Sequence, residues 1–150
     1  TNLWHFHFMG NRKLEGVAAL LDHFPMSAQC HALHIFHHTT QGIHWKHQTN
    51  WNLQYWDMTV WYGVLTHNTS FVCELHLCKN GLQGCIPDCL HLLRHLQILD
   101  LRYNELYGVI PESFGHHLAE LRILNLVGNR ISSDLPASFR ARASTLFIHI

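Results

Sequence analysis

The chain has 150 residues, 47% of them hydrophobic, which is enough to bury one core or to build a short solenoid. Ten Lys and Arg balance ten Asp and Glu, so the chain has neither the basic stripe of a nucleic-acid partner nor an acidic tail. The longest uninterrupted apolar run is about the length of Val17–Leu21, far short of the ~20 residues a membrane span needs.

Taken in chain order, residues 1–13 form an uncertain N-terminal segment in which His5 and His7 would share one face of a strand. Glu15 to Phe24 is apolar at helical spacing. His31, His34, His37 and His38 follow at spacings of 3, 3 and 1, so three of them would share one helical face. Zinc accepts such ligands. However, no acidic general base lies among 31–38 and no His-Glu-x-x-His occurs. The sixteen histidines are spread along the whole chain, which points to compositional bias, and no metal or other cofactor is expected. Asn68-Thr69-Ser70 has the pattern of an N-glycosylation acceptor. The five cysteines, Cys30, Cys73, Cys78, Cys85 and Cys89, are odd in number and contain no Cys-x-x-Cys pair. Neither Gly-x-Ser-x-Gly nor a phosphate-binding glycine loop is present, so no catalytic residue is assigned.

From residue 72 onward a repeat is visible. Val72-Cys-Glu-Leu75-His-Leu77-Cys-Lys-Asn80-Gly-Leu82-Gln-Gly84-Cys-Ile86-Pro87 aligns with Leu96-Gln-Ile-Leu99-Asp-Leu101-Arg-Tyr-Asn104-Glu-Leu106-Tyr-Gly108-Val-Ile110-Pro111. Leu121-Arg-Ile-Leu124-Asn-Leu126-Val-Gly-Asn129-Arg-Ile131 is a third copy, with Ser133 and Leu135 where Gly and Ile are expected. Leu75 to Leu99 is 24 residues and Leu99 to Leu124 is 25; a fourth strand fits at Thr145, Ile148 and Ile150. Within each copy the leucines alternate with polar residues, which predicts a short strand with Leu75 and Leu77 inward and His76 outward. Asn80, Asn104 and Asn129 fall where the strand must turn. Inward amides there would satisfy backbone groups of neighbouring coils. Leu90, Leu93 and Leu96, or Phe114, Leu118 and Leu121, return the chain at helix-like spacing. One coil cannot bury its own leucines, whereas stacked coils can.

The Leu-x-Gly-x-Ile-Pro extension after the asparagine resembles the plant-specific subclass of leucine-rich repeats, found in extracellular regions of plant receptor kinases and receptor-like proteins. The resemblance implies an α/β leucine-rich repeat solenoid over 72–150, with three full copies and the strand of a fourth and a parallel sheet on the concave face. Trp61-Tyr-Gly63-Val64 followed by Ser70-Phe-Val72 is similar to the end of that family's N-terminal cap, and the segment Glu15–Phe24 is similar to its helix. A degenerate cap is therefore expected over 14–71. It lacks the family's cap disulfide, because Met58, Thr59, Val60 and Thr66 stand where cysteines are expected. The alternative reading of the first half, residues 1–71, is degenerate repeats, with candidates at Leu3–Arg12, His31–Gly42 and Leu53–Met58. A bridge between two of Cys78, Cys85 and Cys89 and a set of free thiols both remain open.

The resemblance places a ligand surface on the concave face. Glu74, His76 and Lys79 are candidates on the first coil, Asp100, Arg102 and Tyr103 on the second, Arg122 and Asn125 on the third, and His149 on the last, with Cys78 and Val127 beside them. Such a row can hydrogen-bond an extended peptide or a glycan. The implied function is recognition of a peptide, glycan or protein, with a co-receptor, in defence or developmental signalling, and no enzymatic activity. The implied location is extracellular or at the cell surface, with glycosylation at Asn68. An alternative, suggested by the Asn129–Pro136 copy, is the cytoplasmic leucine-rich repeat part of a plant immune receptor, which would also explain why the chain shows neither the cap disulfide nor a signal-peptide pattern. A His-rich metal-binding protein and an inactive truncated fragment are the remaining alternatives.

Overall fold

The structure is a computed structural model that describes residues 25–51, 57–142 and 145–150. The helix expected over Glu15–Phe24, the segment containing His5 and His7, and most of the alternative repeat at Leu53–Met58 lie outside the described residues.

Two sheets run along the stack of coils. The larger has five strands: β1 (Val64–His67), β2 (Phe71–His76), β4 (Ile98–Asp100), β6 (Ile123–Asn125) and β8 (Phe147–His149), side by side in that order. The smaller joins β3 (Gln83–Cys85), β5 (Glu105–Gly108) and β7 (Arg130–Ile131). All pairings are parallel except β1 with β2, an antiparallel hairpin. The register follows the repeat: Leu75, Leu99, Leu124 and Ile148 stand opposite one another across β2, β4, β6 and β8. Leu75, Leu99 and Leu124 are fully buried, as are Leu77, Leu82 and Leu106, so the inward side of the repeat forms a continuous core.

The return segments are short. A 3-10 turn covers Asp88–Leu92 in the first coil, α2 spans Ser113–His117 in the second and α3 spans Ala137–Arg140 in the third. Leu90, Leu93, Phe114 and Phe139 anchor them in the core. Gly84 has φ +123, and a Cβ there would lie 2.3 Å from the Thr39 carbonyl oxygen, so only glycine lets this coil close against the preceding segment.

The expected asparagine ladder is present. The Asn104 Oδ1 accepts from the Asn80 and Leu82 N–H groups at 2.9 and 3.1 Å, and its Nδ2 donates to the Leu77 and Leu101 carbonyls at 2.8 and 2.9 Å. Asn129 repeats the pattern, accepting from Leu106 N–H at 3.0 Å and donating to Leu101 and Leu126 at 2.8 Å each. Each amide therefore satisfies turn groups of its own coil and of the one before.

Ahead of the repeats lies α1, Pro25–Thr39. Ala32, Leu33 and Phe36 are buried along one side of it, and the helix packs on the Asp88–Leu92 turn. The alternative reading of His31–Gly42 as a repeat strand does not hold, because the segment is this helix followed by a 3-10 turn at Gly42–His44. Trp45, Trp51, Met58 and Trp61 fill the space beside Phe36. Gln29 fastens α1 to the sheet: its Oε1 accepts from Val72 N–H at 2.8 Å, and its Nε2 donates to the Ser70 carbonyl at 3.2 Å. The β1 strand occupies the edge of β2 that the parallel repeats leave open.

Candidate functional site

The outward residues of the five-stranded sheet fall into rows. Parallel register sets Glu74, Ile98, Ile123 and Phe147 in one row, and the hairpin adds Leu65 beside Glu74. The next row is His76, Asp100, Asn125 and His149. Cys78, Arg102 and Val127 follow two residues further along, beyond the inward leucines. Lys79, Tyr103 and Gly128 come last, at the rim where each coil turns.

The sequence-based site is thus mostly assembled on one face, with one displacement. Arg122 does not stand in an outward row; Ile123 does. Arg122 precedes β6 and is exposed beside Glu120, Arg142 and Thr145 at a shallow depression. The apolar residues Leu65, Ile98, Ile123 and Phe147 were missed. The signal was present at Ile98 and Ile123, since each directly precedes an inward strand leucine and must face outward. Leu65 and Phe147 are 46% and 68% exposed, while Ile98 and Ile123 are half-buried.

Charges on the face are largely paired within a coil. His76 Nε2 lies 2.6 Å from Glu74 Oε2. The Arg102 guanidinium grips the Asp100 carboxylate, with Nε at 2.9 and 3.1 Å from the two oxygens and Nη2 at 2.8 Å from Oδ2. Hydrogen bonding to Asp100, followed by its charge, raises the Arg102 pKa above its ordinary value. Asp100 also accepts from the Arg102 N–H at 3.2 Å, so this pair is fixed to the turn. At the rim, the Lys79 ammonium lies 5.3 Å from the centroid of the Tyr103 ring.

Among the described residues no group of three or more His, Cys, Asp or Glu is placed to hold a metal ion. His34 packs on Trp61 at 4.8 Å between ring centroids, and His37 stacks on Trp51 at 5.8 Å with an edge to Trp45 at 4.9 Å. Burial, with the neighbouring charges of His31 and His37, pushes the His34 imidazole down to about 4. Burial lowers His37 as well. These side chains act as neutral aromatic filling. The cysteines carry no disulfide: Cys30 and Cys89 are buried, Cys73 is half-buried, and Cys78 and Cys85 are exposed. Burial pushes the Cys30 and Cys89 thiols up to about 11 and about 12, which keeps both as unreactive core groups. Asn68 is exposed at the tip of the β1–β2 hairpin, in a three-residue connection where it and Thr69 both adopt positive φ.

No helix of the described residues is long and apolar enough to cross a membrane. Residues 72–131 match the family model for the leucine rich repeat. Receptor-like protein 50 of Arabidopsis thaliana is 38% identical over 88 residues, which is 57% of this chain and 10% of that protein. A probable leucine-rich repeat receptor-like protein kinase of the same plant is 36% identical over 73 residues, 48% of this chain and 6% of the relative. The chain therefore spans a tenth or less of the length of these relatives. Among solved structures, the Arabidopsis thaliana BIR2 ectodomain superposes with a TM-score of 0.62 at 26% identity, covering 79% of this chain and 62% of that one. A chain of the Arabidopsis thaliana BIR3–SERK2 complex gives 0.55 at 29% identity, covering 71% and 55%. With the ladder, the parallel register and the Leu-x-Gly-x-Ile-Pro turns on the same coils, the repeats of this chain are leucine-rich repeats of the plant type, similar to those of receptor-like proteins and receptor kinases.

Proposed function

We propose that this chain is a recognition module whose concave face binds an extended peptide or a protein segment as part of a receptor ectodomain at the cell surface. The observation that carries the reading is the apolar row of Ile98, Ile123 and Phe147, set apart from Leu65 by Glu74, beside the row of His76, Asp100, Asn125 and His149. An apolar stripe flanked by fixed polar groups, on a sheet held by the asparagine ladder, offers a ligand both burial and orientation at small entropic cost. The reading is further supported by likeness to receptor-like proteins and, at the level of fold, to PEPR1 in a structure with AtPEP1. In this reading, residues 14–71 are an N-terminal cap, 72–150 carry the ligand surface, and a co-receptor joins the bound ligand. Asn68 carries an N-linked glycan at the hairpin tip. Glu74, His76, Lys79, Asp100, Arg102, Tyr103, Asn125 and His149 contact or frame the ligand, Arg122 flanks it, and no catalysis is involved.

The test is capture of peptides from plant extracellular fluid on the immobilised full chain, beside an Ile98→Asp/Ile123→Asp variant shown to melt like the parent. Peptides retained by the parent and lost by the variant support the proposal. Equal retention by both, or retention of glycans alone on a parallel glycan array, contradicts it. Glycosidase treatment of the chain secreted from plant cells, with Asn68→Gln as control, tests the glycan. An unchanged mass contradicts that assignment.

A further inference from the structure

Three successive coils place the residue before the ladder asparagine in the left-handed backbone region: Lys79 at φ 53, Tyr103 at φ 54 and Gly128 at φ 75. Glycine is at ease there, whereas lysine and tyrosine pay a steric cost. Packing does not demand the tyrosine, because Tyr103 is 52% exposed. Strain held at exposed side chains points to a position kept for what those side chains do. Tyr103 is seated on Gly128, where a Cβ would fall 2.5 Å from Tyr103 Cδ1, and the Lys79 ammonium lies over the Tyr103 ring. The three residues build one ridge along the rim of the concave sheet.

Charge pairing on the face singles out this ridge. Glu74 is engaged by His76 and Asp100 by Arg102. Lys79 has no carboxylate within ion-pair distance among the described residues. The ring holds the ammonium without neutralising it, which leaves donors for an incoming acceptor.

Resting on the peptide reading given above, we propose that the Lys79–Tyr103 ridge anchors an acidic side chain of an extended peptide whose apolar side chains lie along the row of Ile98 and Ile123. Five strands at the usual spacing span about 19 Å, the length of about six extended residues. A ligand crossing the strands thus meets the apolar row on one side and the ridge on the other.

The test is selection of a random linear hexapeptide display library on the immobilised full chain. The expected result is enrichment of Asp or Glu at one position beside apolar residues. That preference falls at least tenfold for Lys79→Asn, which tolerates the left-handed backbone but lacks the ammonium, and turns toward Lys and Arg for Lys79→Glu. Thermal melting is retained by both variants. Enriched peptides without an acidic preference, or with one untouched by Lys79→Glu, overturn the anchor while leaving peptide recognition standing. No enrichment over a blank support overturns both.

Discussion

The side-chain amide of Asn80 closes a two-way bridge with the backbone of His47: its Oδ1 accepts from the His47 N–H at 2.7 Å, and its Nδ2 donates to the His47 carbonyl at 2.9 Å. The Asn80 carbonyl also accepts from Lys46 N–H at 2.9 Å. The ladder that joins coil to coil through Asn129 and Asn104 therefore continues into the segment ahead of the repeats, through backbone groups that carry no repeat signature. Asn80→Ala leaves buried groups at this junction unpaired and is expected to cost about 2 kcal/mol. Hydrogen exchange over residues 40–51 should accelerate more than exchange over β6. Equal acceleration at both sites would contradict the local role.

All five tryptophans lie at or before residue 61, so their fluorescence reports the first half of the chain, while circular dichroism reports the whole. If the Asn80 and Gln29 links make one cooperative unit, the two thermal transitions coincide. A fluorescence transition well below the dichroism transition would mean that the first half melts separately from the coils.

Acid should loosen the first half. An unfolded histidine takes a proton near pH 6.5, whereas His34 in the fold does so only near about 4. The neutral ring thus favours the fold fully above pH 6.5. Stability is lost as pH falls from there toward about 4, because only the unfolded chain binds the proton in that window. His37 acts in the same direction. Denaturant midpoints measured between pH 7.5 and 4.5 should fall, and His34→Phe should flatten the decline. A variant with the same slope as the parent would remove His34 from the account.

Gly128→Ala introduces a Cβ against the Tyr103 ring at a positive φ, with an expected cost of about 2 kcal/mol. In a Tyr103→Gly background the ring is gone and only the backbone cost remains, so the two substitutions should be non-additive by about 1 kcal/mol. Additive melting shifts would mean that the ridge is not packed as described.

Lys79→Asn should stabilise the chain by about 0.5–1 kcal/mol, because asparagine tolerates the left-handed region better than lysine. The same substitution removes the anchoring ammonium. A gain in midpoint with a loss of binding is the expected signature of strain kept for function. A loss of midpoint would show that lysine stabilises the turn.

The repeats were legible because a period of 24 or 25 residues repeats the same packing problem: Leu75, Leu99 and Leu124 stand in register, and Asn104 and Asn129 bond as their positions require. The first half offered no such repetition. Its helix over Pro25–Thr39 buries Ala32, Leu33 and Phe36 but also sets histidines against tryptophans. A side chain that titrates near neutrality was read as a metal ligand or as bias, because sequence does not show which ring it stacks on. On the concave face, alternation correctly turned His76 and Asp100 outward. Ile98 and Ile123 were passed over because apolar residues suggest a core, although strand parity turns them to the surface. The left-handed backbone at Tyr103 carried no sequence mark, since nothing in the residue itself announces a positive φ.

The most direct test of the concave face as the ligand surface is methyl chemical-shift mapping of the full chain with a peptide captured from extracellular fluid. The largest changes are expected at the Ile98 and Ile123 methyls, with Val127 nearby and little change at Val109 on the opposite side of the coil. Changes centred on Val109 and Ile43, with Ile98 and Ile123 unmoved, would place the ligand elsewhere and contradict this reading.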